Sequence, residues 1–211
     1  MFAPVSLAFI FMLNTEAELE SQIEISKWVD KNLSIPFAFA NDKDKWAFSC
    51  FDIVIEHHSS IVALSDLKLY GSALALLRVQ YEAFIRGLWL RYVATENDLS
   101  RFKRDKVKPT FHELIEAVET SRGIKSGLLS HIKDKQWAIF NSFTHTGVEA
   151  LLRRMGENTT GYDNYKNEDI NKGLRFSGLI LLFCASEMAI LTGNNELIDN
   201  TVNVLQNYKS K

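Results

Sequence analysis

The segment Gly71–Tyr92, GSALALLRVQYEAFIRGLWLRY, sets the tightest limit on what this chain can fold into. Leu74, Leu77, Tyr81, Phe84 and Leu88 recur at steps of three and four, the period of an α-helix with a stripe facing a core. The segment is too apolar overall for a surface helix, so other elements must cover it. Yet Arg78, Glu82 and Arg86 stand at i, i+4 and i+8, which stacks three formal charges along one face. Charges on a covered helix need partners. WAIFNSFTHTG (Trp137–Gly147) offers them, because Asn141 and His145 form a second i, i+4 pair on an apolar helix. The spacing predicts that Arg78 or Arg86 reaches Glu82, and that Asn141 or His145 faces the same layer.

Helical periodicity runs through the rest of the chain. Thr15 with Glu18 reads as a capping box that opens a helix to about Asp30, and Asn32–Lys45, broken by Pro36, reads as a connector. A second helix is predicted over Lys45–Ser65, with Phe48, Phe51, Val54, Ile55, Ile61, Val62 and Leu64 on a wide apolar face. A break at Lys68–Gly71 folds it back on the third as an antiparallel hairpin. Thr95 with Asp98, and Thr110 with Glu113, cap two further helices, the latter ending near Gly123. Next come a helix over Ser130–Thr146 stopped by Gly147 as a C-cap glycine, a short turn or helix over Val148–Met155, and a loop over Gly156–Asn167. Asn167 then caps a long apolar helix that Gly193 ends, and Asn195–Lys209 is amphipathic. No strand alternation and no internal repeat interrupts this pattern. The expected fold is all-α, a single helical-bundle domain over residues 12–211, with residues 1–11 as an apolar N-terminal extension and translation starting at Met1 or Met12.

Several function classes drop out. With 211 residues, 46% of them hydrophobic and 24% charged, the chain can bury a core and is not a disordered segment. A net charge of −2 leaves nucleic-acid contact to a local basic patch. One exists: RFKRDKVK supplies Arg101, Lys103, Arg104, Lys106 and Lys108, and Arg153–Arg154 extend it if the fold brings them near. Residues 1–13, MFAPVSLAFIFML, lack the basic flank of a signal peptide and the length of a membrane span, and LILLFCASEMAIL is interrupted by Glu187. No membrane partner is expected. Cys50 and Cys184 have no metal or redox spacing and read as buried free thiols of a cytoplasmic protein. No phosphate-binding glycine loop, HExxH or paired Glu-x-x-His is present, so neither a cofactor nor a metal is expected. In Glu56-His57-His58, adjacent side chains point about 100° apart on a helix, which favours a solvent or interface face over a metal site.

The Arg78/Glu82/Arg86 and Asn141/His145 stripes carry two readings. Arginine forks onto phosphate and histidine exchanges a proton near neutral pH, so together they suit metal-independent RNA binding or cleavage. The same residues also suit an architectural network in a non-catalytic helical interaction module, with Glu82 neutralising both arginines.

LLRVQYEAFIRGLWL paired with the downstream NSFTHTG resembles an uncharacterised bacterial family of helical proteins distantly similar to the HEPN superfamily, over about residues 45–192. The resemblance implies a HEPN-like antiparallel hairpin core and a homodimer. It also implies a metal-independent ribonuclease of a stress, toxin–antitoxin or phage-defence system, with RNA and a protein encoded nearby as partners. The superfamily's motif is an arginine, a polar residue and a histidine on one helix. Asn141 and His145 match the last two, Phe140 stands where the arginine would be, and Arg78 or Arg86 would supply the charge from the neighbouring helix.

Overall fold

The computed structural model describes residues 15–33, 39–161 and 164–209. The N-terminal extension expected over residues 1–11, both candidate start methionines and part of the Asn32–Lys45 connector lie outside them. Nine helices make up the described residues: α1 (Thr15–Leu33), α2 (Asp42–Asp66), α3 (Tyr70–Tyr92), α4 (Glu96–Phe102), α5 (Phe111–Arg122), α6 (Leu128–Thr144), α7 (Val148–Leu152), α8 (Asn167–Thr192) and α9 (Asn195–Lys209). Among these residues the only β pairing is a single antiparallel bridge between Met155 and Thr160.

Local chemistry sets most boundaries. Asn41 caps α2, which begins at Asp42, three residues before the expected Lys45, because the Asn41 Oδ1 accepts the Asp44 backbone N–H at 2.9 Å. Thr95 and Thr110 form complete capping boxes with Asp98 and Glu113. Gly123 and Gly193 end α5 and α8 in the left-handed conformation, at φ 64° and 67°. The predicted Thr15–Glu18 box does not form. Glu18 is buried, and its carboxylate accepts from Gln22 Nε2 at 2.7 Å and pairs with Arg175 of α8 at 2.6 Å, tying α1 to α8. Nor does Asn167 cap α8; Lys166 holds that place.

A tight turn folds α2 back on α3, with Lys68 at φ 57°. The two lie antiparallel, Phe51 facing Phe84, and Gly87 leaves the notch that the Phe51 ring fills, where a Cβ would collide. The long helix α8 packs on α1, α2, α3 and α9, burying Ile180, Leu181, Leu182, Cys184, Ala185 and Met188. Each large side chain sealed here contributes about 1.5–3 kcal/mol relative to exposure. Glu187 sits on this core helix, and the run expected to be a buried helix is one. Both thiols are free and buried, and burial pushes the Cys50 thiol up to about 11.

A polar layer crosses the core. The His58 Nδ1 lies 2.8 Å from Ser177 Oγ, and Gln80 Nε2 donates to the backbone carbonyls of Val54 and Ser177 at 3.4 and 3.3 Å. His58 thus belongs to the interior, with 0% exposure, and not to the solvent or interface face expected of Glu56-His57-His58. The polar neighbours Glu56 and His57 disguised it, since one helical step turns a side chain from the surface to the core.

Candidate functional site

The charged stripe of α3 meets α6 along one edge of the bundle. Arg78 Nε donates to Glu82 Oε1 at 2.9 Å, and Arg78 Nη1 donates to His145 Nε2 at 2.8 Å. The guanidinium lies 4.9 Å from the Trp137 ring centre, and Trp137 stacks on Phe111 of α5 at 4.8 Å. Arg86 Nη2 stands 3.8 Å from Glu82 Oε2, so Glu82 serves both arginines. The cluster is neither sealed nor open: side-chain exposure is 23% for Arg78, 19% for Glu82 and 48% for Arg86, while His145 is exposed.

Two fixtures set the His145 ring against Arg78. At its far end α6 is anchored by Tyr81, whose hydroxyl donates to the Leu129 carbonyl at 2.7 Å. Glu119 of α5 supplies the cap that Gly127 cannot, accepting the Leu129 and Ser130 backbone N–H groups at 2.6 and 3.0 Å. At the near end α6 stops at Thr144, two residues before the expected end, and the His145 N–H donates to the Asn141 carbonyl at 2.9 Å. The left-handed position falls on Thr146, φ 55°, and not on Gly147, which has φ −79° and opens α7. Gly147 is needed for closeness: its N–H donates to the Ser142 carbonyl at 2.7 Å, and a Cβ there would meet Ser142 Oγ at 2.7 Å. A β-branched residue at positive φ is strained, and here that strain lies next to the site histidine.

The pairing fixes the histidine's tautomer. A guanidinium has only N–H donors, so Nε2 of His145 carries the lone pair and Nδ1 the proton. Asn141 is close in sequence but joins less than its spacing promises. It is half-buried, its side-chain Oδ1 is buried without a hydrogen-bond partner, and it reaches His145 only through its backbone. Phe140 is 3% exposed and packs against Phe176, so an arginine there would be driven into the core.

The basic run Arg101–Lys108 spans the end of α4 and the loop that follows. Lys103 is engaged by Asp42 at 2.6 Å and lies over the Trp46 ring, and this hydrogen bond and charge hold the Asp42 carboxyl below its ordinary value. Arg104 Nε donates to the Ser100 carbonyl. Arg101 is half-exposed, and Lys106 and Lys108 are exposed. Arg153 and Arg154 do not extend this patch. Arg153 pairs with Glu149 and Asp169, and Arg154 approaches Gly71 at the start of α3, whereas the basic loop returns beside Arg86 and Trp89 near its end.

A second arginine–glutamate cluster closes the other end of α3, and the spacing of charges does not announce it. Arg91 Nη1 donates to the Glu187 carboxylate at 3.0 Å and to its backbone carbonyl at 2.7 Å, and the Tyr92 hydroxyl donates to the same carboxylate. Arg122 of α5 stands 3.9 Å from Glu187 and lies over the Tyr92 ring. Burial, with the Glu187 carboxylate alongside, pushes the Tyr92 hydroxyl well up. The one available signal was Glu187 itself, a lone acid in an apolar run. Among the described residues no three His, Cys, Asp or Glu side chains converge as a metal-binding group.

The molecule is therefore an all-helical bundle whose central helix carries one closed and one half-open arginine–glutamate cluster. It belongs to the family of unknown function DUF6988, whose family model matches residues 51–211. That span takes in both clusters, α6 and α8, and leaves out α1. No curated protein and no solved structure matches the chain.

Proposed function

We propose that the Arg78–Glu82–Arg86–His145 edge binds RNA phosphate and cleaves RNA without a metal, as a HEPN-like homodimeric effector of bacterial stress or phage defence. The observation that carries this reading is the 2.8 Å contact between Arg78 Nη1 and His145 Nε2 at an exposed edge. It sets a phosphate-binding fork against an imidazole nitrogen whose lone pair the fork itself now holds. In the proposed step a phosphodiester takes Arg78 Nη1 from the histidine. The freed Nε2 accepts the proton of the ribose 2′-hydroxyl, the 2′-oxygen forms a bond to phosphorus, and the 5′-oxygen leaves and takes a proton from water. Arg86, half-exposed and only loosely paired, supplies a second cation for the phosphodiester. Glu82 holds Arg78 in place through Nε and leaves its other edge free to turn outward. The exposed apolar side chains Val148, Leu151, Leu152 and Met155 follow closely on His145 and give a second copy an apolar surface to meet.

The second reading, a non-catalytic interaction module, is favoured by one observation: Arg78 already has three partners in Glu82, His145 and Trp137. Expression in a bacterial host separates the two. The effector reading expects growth arrest and RNA fragments from wild type, neither from His145→Ala, and impairment in Arg78→Lys, which keeps the charge and loses the fork. Wild type that neither arrests growth nor cuts RNA, alone or with its neighbouring gene products, leaves the interaction module.

A further inference from the structure

A small cleft lies two turns along α3 from Arg78. Its volume is about 160 Å³, and Arg86, Trp89, Phe102, Val107, Pro109, Phe111 and Leu114 line it. Its walls come from three places: Trp89 is buried in α3, Phe102 ends α4, and Phe111 opens α5. The loop between α4 and α5 closes the outer side, turning at Asp105, φ 53°, so that Val107 and Pro109 come back over α3. Among the described residues Arg86 is the single cation in the lining, and Lys106 and Lys108 flank Val107 on the exposed rim.

The cleft also joins the edge already described. Phe111 lines the cleft and stacks on Trp137, Trp137 lies under the Arg78 guanidinium, and Arg78 touches His145. A continuous run of two arginines and two stacked rings thus leads from the cleft to the histidine, with Arg86 and Arg78 about 12 Å apart along the helix axis. Planar walls beside a half-exposed arginine match a ligand with a flat heteroaromatic ring on an anionic backbone, the chemistry by which single strands are held through stacking and phosphate contact. Val107, Phe102 and Phe111 pack against the core around Trp89 and Leu114, which holds the loop in place over the cleft.

We infer that this cleft is a nucleotide subsite, taking one base against the partly exposed Phe102 and Phe111, above the buried Trp89, and its phosphate on Arg86, with Lys106 and Lys108 on the adjoining phosphates. This rests on the RNA reading of the Arg78–His145 edge and adds to it where the neighbouring base sits.

The test uses the full chain, a fluorescein-labelled single-stranded RNA octamer, an abasic octamer with the same phosphates, and AMP measured by calorimetry. Wild type is expected to bind the RNA octamer at least about fivefold tighter than the abasic one, the lower end of what one stacked base contributes. AMP should bind and displace the octamer. Val107→Phe, which fills the cleft, should bring the RNA-to-abasic ratio close to one. Lys106→Gln with Lys108→Gln, both exposed, should weaken both octamers to the same degree, with a shallower salt dependence. Equal wild-type affinity for the two octamers overturns the subsite and leaves the RNA reading standing. AMP binding without octamer binding supports the subsite and overturns the RNA reading, and binding of none of the three overturns both.

Discussion

Helix α3 carries two clusters of the same composition, two arginines around one glutamate, at its middle and at its end. At the end, Arg91 and Glu187 are 12% and 13% exposed, Arg91 and Tyr92 both donate to the one carboxylate, Arg122 stands 3.9 Å from it, and the partners come from α3, α5 and α8. In the middle, Glu82 and both its arginines sit on one helix, Arg86 stands 3.8 Å off much as Arg122 does at the end, and among the described residues the only hydrogen-bond partner from another element is the exposed His145. Identical groups therefore have different leverage. A charge taken out of water by three elements holds them together or unfolds them, whereas one at a wet edge adds little stability and can exchange its partner for a ligand. The difference separates a structural joint from a candidate site on the same helix.

The sharpest way to break the comparison is to remove the closed carboxylate. Glu187→Ala leaves Arg91 buried without a counter-charge, on the backbone carbonyl of residue 187 alone, and strands the Tyr92 hydroxyl, and should destabilise the fold by about 3 kcal/mol in urea unfolding. A midpoint near wild type would mean that the cluster is not a joint.

Acid weakens the interior in another way. Burial holds the His58 imidazole down from its ordinary 6.5 to about 4, although the backbone carbonyls of Gln22 and Ser177 pull it upward. Between these values the unfolded chain takes up a proton that the folded chain refuses. The stability His58 confers is therefore fully present above pH 6.5 and lost as pH falls toward 4, on the order of 3 kcal/mol in all. His58→Gln should flatten that part of the stability profile; an unchanged slope would place the proton uptake elsewhere.

Glu82→Ala should be milder than Glu187→Ala. Had Arg78 and Arg86 been sealed, the loss would match that of the closed cluster. With both partly wet, about 1 kcal/mol is expected. A loss of about 3 kcal/mol would sink the distinction between the two clusters.

What could be read from the chain alone was what adjacent residues decide. The capping boxes at Thr95 and Thr110, the Arg78–Glu82 contact and the apolar face of α2 all follow from spacings of three and four. The approach of His145 to Arg78 was an expectation from two matched stripes, and it rests on a turn that the sequence hid, since Gly147 looked like a helix stop and is a close-contact glycine. Glu119 as the cap of α6, the Arg91–Glu187–Arg122 joint and the cleft beside Arg86 each need three or more segments to meet, which no local spacing encodes. Asn141 shows the opposite error, a promising spacing whose side chain reaches neither Arg78 nor His145.

The smallest stability effect belongs to His145→Ala, which removes an exposed ring and should leave the melting temperature within about two degrees of wild type. That makes it the direct test of the central claim, that the half-open cluster acts while the closed one holds. The measurement is the rate of RNA cleavage by purified wild type and His145→Ala in EDTA, beside their melts. The account predicts cleavage by wild type and a fall of at least about a hundredfold in a variant that stays folded, the usual scale for losing a general base. Cleavage undiminished in His145→Ala, or a variant that melts as early as Glu187→Ala, would contradict it.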